Sequence, residues 1–151
     1  MYNKSTKNIK GRAIPMIQVI HGKKGSGKTK KILDMANAAI KEYKGDVIFV
    51  DDDNRYMFDL RHEVRFVNAG EYGSDSPEMV FGFLCGMLAQ NVDISVIFID
   101  AFLKLIKIDV TAADWFFTSL EQYGQKHDVT FVLSVSADPE TLPDFAKGYV
   151  I

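Results

Sequence analysis

The sequence is poor in several things, and each shortage narrows the field. Cys85 is the only cysteine, so no intrachain disulfide forms and a multi-cysteine zinc site is excluded. This suits a reducing compartment, and a cytoplasmic location is expected. No run of 18 apolar residues occurs, so no membrane span is expected, and the polar start lacks the apolar core of a signal peptide. The three histidines, His21, His62 and His127, are scattered without metal-ligand spacing. Arginine is confined to Arg12, Arg55, Arg61 and Arg65, and basic residues do not alternate with aromatics. With a net charge of −2, that argues against nucleic acid as a partner. There is no repeat and no low-complexity segment.

What is present fits one globular domain: 151 residues, 47% of them apolar and 25% charged. Residues 1–15 carry Lys4, Lys7, Lys10 and Arg12 and no acid. They read as a disordered basic extension ahead of a domain spanning 16–151. From there, apolar runs alternate with helical periodicity. "MIQVIH" (16–21), "DVIFV" (46–50), "VRFVNA" (64–69), "ISVIFID" (94–100) and "VTFVLSVS" (129–136) read as strands, and "YVI" at 149–151 as a short sixth. Helices are expected over 28–43, with Gly45 as the stop, and after Ser76-Pro77. A third is expected after a capping box at Thr111–Asp114, and a short one opens at Asp138-Pro139-Glu140. Gly82 and Gly86, four apart, would permit close packing on one side of the second helix. The alternation predicts an α/β fold in three layers: a mainly parallel five-stranded sheet with helices on both faces.

The chemistry concentrates in "GKKGSGKT", Gly22 to Thr29, directly between a strand and a helix. Gly22, Gly27, Lys28 and Thr29 match the spacing of the phosphate-binding P-loop, or Walker A motif. Glycines let consecutive N–H groups of Lys23, Lys24, Gly25, Ser26 and Gly27 turn toward a phosphate, and the helix dipole adds to them. Lys28 would reach the β- and γ-phosphates and Thr29 would hold Mg²⁺. Lys23, Lys24, Lys30 and Lys31 thicken the local positive charge. The matching acid for Mg²⁺ is Asp100, which ends the apolar run "VIFID" in the manner of a Walker B strand. Such strand ends are where open parallel sheets bind ligands. The next residue is Ala101, where many related ATPases carry the glutamate that orients water. Asp51, Asp52 and Asp53 end the second strand on the same sheet edge, and either Ser134 or Ser136 is placed to sense a γ-phosphate. "AFLKLIKID" (101–109) follows Asp100 and reads as a lid, a partner surface or a helix packed on the sheet.

The order of these motifs resembles the type II thymidine kinase branch of the RecA-like P-loop proteins. "DNRY" (Asp53 to Tyr56) corresponds to the D-x-R-Y turn after that family's second strand, and "FIDAFL" to its Walker B segment. The resemblance implies that Asp53 lies near Mg²⁺, where it stands in for the missing base, and Arg55 near phosphate. The family's glutamate is replaced by Ala101, and its four-cysteine zinc element has no counterpart. The sequence is also similar to small clostridial-type ATP-binding proteins labelled by analogy with the twitching-motility ATPase PilT. The domain and the His- and Asp-box motifs of the hexameric retraction ATPases are absent, so motility is not implied. Three functions follow as expectations: a slow or partner-stimulated NTPase binding ATP or GTP with Mg²⁺, a small-molecule kinase, or a non-catalytic nucleotide-gated module. A protein partner or homo-oligomer would complete the first and third.

Overall fold

The computed structural model describes residues 14–138 and 140–151; the expected extension thus lies, except for Ile14 and Pro15, outside the described residues. The apolar runs form five strands: β1 (Ile17–Gly22), β2 (Asp46–Asp51), β3 (Arg65–Asn68), β4 (Ile94–Ile99) and β5 (Thr130–Ser136). They make one sheet in the order β1-β5-β4-β2-β3, with every neighbouring pair parallel. All six residues of β4 are buried, as are Val47 to Asp51 in β2. Burial at consecutive positions is what a parallel sheet covered on both faces demands, and it explains why these strands read as continuous rather than alternating apolar runs.

The direction of travel across the sheet sets the layers. The chain crosses from β1 to β2 and β3 in one direction, then returns through β4 to β5. Right-handed crossovers place the connections of the two journeys on opposite faces. On the outward face α1 (Lys28–Glu42) packs Ile32, Leu33, Ala36 and Ala39 against Val47, Phe49, Val96, Phe98 and Val132. The other face carries α2 (Pro77–Gln90), α3 (Phe102–Ile106), α4 (Asp114–His127) and α5 (Asp144–Lys147). Phe102 meets Phe116 and Phe117 edge-on there, with ring centroids 5.2 and 5.8 Å apart. Phe116 is fully buried, and its truncation to alanine would cost about 3–5 kcal/mol. Among the described residues no helix is long and apolar enough to cross a membrane.

Local signals were accurate where they act locally. The Ser76 hydroxyl accepts from the Met79 amide at 3.1 Å and caps α2, with Pro77 in the first turn. Three expectations change, and one of the alternatives for 101–109 is borne out. Gly82 and Gly86 face outward, with nothing within 4 Å of an added Cβ, so they mediate no packing within the chain. Thr111 does not cap α4: Asp109 captures the Thr111 amide at 2.9 Å in a short 3-10 turn, and the helix begins at Asp114. The last helix begins at Asp144, behind Pro143, rather than after Asp138, and Pro139 itself lies outside the described residues. Within 101–109, Phe102, Leu105 and Ile106 are buried, so this segment is a helix packed on the sheet and not an apolar docking face. The end of the chain does meet β1: Val19 donates to the Tyr149 carbonyl at 2.8 Å, and Ile151 to the Val19 carbonyl at 3.1 Å. The resulting single parallel bridge, Val19 with Val150, is the start of the expected sixth strand.

Candidate functional site

The strand order brings three strand ends and one loop together at the carboxyl edge. β5 lies between β1 and β4, so the segment after β1 and the aspartate after β4 face each other across Ser134. The loop from Gly22 to Thr29 turns through left-handed Gly25 (φ 83°) and Gly27 (φ 89°), conformations that favour glycine. A Cβ on Gly22 would come within 2.5 Å of the Ser26 hydroxyl, which would have to turn aside. The loop folds back on itself: the Lys23 carbonyl accepts from the Ser26 amide at 3.1 Å and from the buried Lys28 ammonium at 2.8 Å. Because Gly27 sits at the N-cap, no side chain caps α1. The first-turn amides of this 15-residue helix therefore open toward the loop.

Asp100 is buried and held on both oxygens. Thr29 Oγ1 donates to Oδ2 at 3.2 Å, and the Ser134 hydroxyl donates to Oδ1. The same Ser134 oxygen accepts the Ala101 amide at 2.8 Å, while Ala101 takes a left-handed turn (φ 50°). One hydrogen-bonded unit thus ties α1, β4 and β5 together, and it commits Ser134 to Asp100 rather than leaving it free toward a ligand.

The end of β2 repeats the end of β4. "VIFVD" (47–51) lies in parallel register with "VIFID" (96–100), and the Asp100 amide donates to the Val50 carbonyl at 3.1 Å. This puts Asp51 beside Asp100. Asp51 is only 3% exposed. Its Oδ1 accepts the Asp52 amide at 2.8 Å, but its Oδ2 is buried with no hydrogen-bond partner among the described residues. Burial pushes the Asp51 carboxyl up to about 7; the Asp52 amide opposes this, and the charges of Asp100 and Asp52 add to it. Carboxylate oxygens of Asp51, Asp52 and Asp53 lie within 4.8 Å of one another.

The three acids differ sharply in their surroundings. Asp52 pairs with Lys104 of α3 at 2.9 Å. Burial pushes Asp52 upward, but the Lys104 ammonium outweighs it and the carboxyl sits below its ordinary range. Asp53 is the most exposed of the three. It accepts the Arg55 amide at 2.8 Å and pairs with the Arg55 guanidinium at 3.4 Å, which lies 5.7 Å above the Tyr56 ring.

All these groups line one cleft of about 750 Å³, whose walls include Lys24, Lys28, Thr29, Asp51, Asp100 and Lys104. The expected site residues Gly25, Gly27, Asp53 and Arg55 line it too, and Gly22 and Ser26 shape the loop behind them. Lys23 points away, toward Asp138 at 3.8 Å. A second cleft of about 580 Å³ shares Lys24, Leu103 and Ser136 with the first and carries the hydroxyls of Thr111 and Thr141. Sequence reasoning singled out Asp53 rather than Asp51 and did not mark Lys104. The signal for Asp51 was present, in the near-repeat of V-I-F-V-D and V-I-F-I-D.

No protein-family model matches this chain, and none of the curated proteins matches it. Its function is therefore argued from the cleft.

Proposed function

We propose that this protein binds a nucleoside triphosphate, ATP or GTP, with Mg²⁺ and hydrolyses it slowly. The observation that carries the reading is the hydrogen bond from Thr29 to Asp100, which joins residues 71 apart at the mouth of the glycine-rich loop. A hydroxyl and a carboxylate, both hard oxygen donors, meet beside an uncapped helix N-terminus. That donor set fits Mg²⁺, with Thr29 and Asp100 as the residues that would hold it. When bound, the ion neutralises charge on the β- and γ-phosphate oxygens. The loop amides and the α1 N-terminus bind phosphate, and Lys28 leaves the Lys23 carbonyl to do the same. Asp51 supplies what Ala101 cannot: Oδ2 is a buried oxygen free to take a proton from the attacking water, with an affinity for protons suited to neutral pH.

Equilibrium titration with Mg-ATP tests the binding. Lys28→Ala is expected to weaken it by at least about tenfold, the loss of one charge-assisted phosphate contact. Unchanged affinity would sink the assignment of the loop.

A small-molecule kinase is the second reading, favoured by the second cleft. Its hydroxyl-lined wall adjoins the loop at Lys24 and offers a place for a polar acceptor. Phosphate release measured with and without polyhydroxylated acceptors separates the two. Acceptor-independent release supports hydrolysis, and ADP formation that requires an acceptor supports transfer.

A further inference from the structure

We propose that Lys104 reads the third phosphate: it makes the cleft prefer a nucleoside triphosphate to a diphosphate, exchanging Asp52 for the γ-phosphate when the triphosphate binds. The inference rests on the nucleotide reading above and adds to it a residue outside the glycine-rich loop.

Four cations line the cleft: Lys24, Lys28, Arg55 and Lys104. Two belong to the loop. Arg55 is engaged by Asp53 of its own turn and by the Tyr56 ring. Lys104 alone reaches the cleft from the opposite wall, from α3. It follows Asp100 across the left-handed turn at Ala101 and lines the same cleft as the carboxylate that Thr29 contacts.

A structural ion pair is a poor account of the Lys104–Asp52 contact. α3 is already anchored by Phe102, Leu105 and Ile106, each at most 2% exposed. The Lys104 side chain is 66% exposed, and exposed pairs add little to stability. The same exposure makes the pair easy to exchange. A terminal phosphate offers more charge and more acceptor oxygens than a single carboxylate, and the flexible four-carbon stem lets the ammonium follow it. A diphosphate lacks that group and leaves Lys104 on Asp52.

The test is equilibrium binding of the full chain, with Mg²⁺, to a non-hydrolysable ATP analogue and to ADP. Lys104→Met is expected to weaken the triphosphate analogue about 10-fold and leave ADP nearly unchanged, while Lys104→Arg retains most of the preference. Asp52→Asn, which frees Lys104, is expected to tighten the triphosphate analogue and not ADP. Equal loss for both nucleotides in Lys104→Met, or no loss, overturns the proposal. So does an Asp52→Asn variant as impaired as Lys104→Met, since a structural pair would lose the same from either side. Lys28→Ala separates the two levels of inference. If it loses both nucleotides while Lys104→Met keeps wild-type discrimination, the nucleotide reading stands and only Lys104 falls. If folded wild-type protein binds neither nucleotide, both fall.

Discussion

The ends of β2 and β4 are close copies lying side by side, V-I-F-V-D against V-I-F-I-D, yet their aspartates are treated in opposite ways. Asp100 has both oxygens occupied by hydroxyls from other parts of the chain. Asp51, equally buried, keeps one oxygen without a partner and holds its proton up to about pH 7. Thr29 and Ser134 donate hydroxyls to Asp100. Asp51 receives no hydroxyl: burial, contact with the Asp52 carboxyl and the neighbouring charges push it up, and the Asp52 amide opposes them. The same local sequence thus yields one carboxylate with both oxygens occupied by hydroxyls and one with a buried oxygen left open. What differs is the strand that each borders: β4 has β5 and its serine alongside, whereas β2 has β3.

The comparison breaks most visibly if the two acids are exchanged in function. Asp51→Asn is expected to lower turnover by about 10²- to 10⁴-fold with nucleotide affinity little changed. Asp100→Ala is expected to lose Mg²⁺-dependent affinity first. Single-turnover phosphate release alongside binding with and without a chelator reads both, and two variants with the same profile would remove the distinction.

Stability against pH probes Asp51 without any ligand. Its folded pKa, about 7, lies above the ordinary carboxylate value, so the stability tied to its protonated form is fully present below about pH 4. That stability is lost as pH rises through 7. Asp51→Asn escapes the loss and should melt higher than wild type at pH 8 by about 2–6 °C, an effect of about 1–2 kcal/mol. The gap should close toward pH 4. Parallel melting curves across that range would place the Asp51 carboxyl in an ordinary environment. The smallest effect belongs to Asp53, which is more exposed than Asp51 and occupied by Arg55. Asp53→Asn should change turnover by less than about threefold, as a surface substitution does; a loss matching Asp51→Asn would move the proton acceptor to Asp53.

Much of this was legible because it is local. The glycine-rich loop needs left-handed glycines and a following helix, and both are written within eight residues. The Ser76-Pro77 start of α2 is likewise self-contained. The misread features were decided elsewhere. Thr111 matched a capping pattern, but Asp109, two residues upstream, took its amide first. Which member of Asp51-Asp52-Asp53 becomes buried depends on β4 pairing with β2, a contact between segments more than 40 residues apart. The role of Ser134 required β5 to lie between β1 and β4. Lys104 carries no local mark at all; its place in the cleft follows from where α3 docks.

The edge position of β1 also bears on how the molecule is made. Among the described residues its ladder partner is β5, where Ile17 pairs with Phe131, with single bridges from Val19 to Val150 and from Gly22 to Ala137. Pairings this distant in sequence are slow to form, and a chain emerging from the ribosome cannot make them until β5 has been synthesised. The segment Gly22–Thr29 is translated well before β5, yet it hangs from a strand that waits for β5. A nascent chain would therefore hold Gly22–Thr29 without its neighbouring strand until β5 has emerged, so the cleft is assembled late in folding.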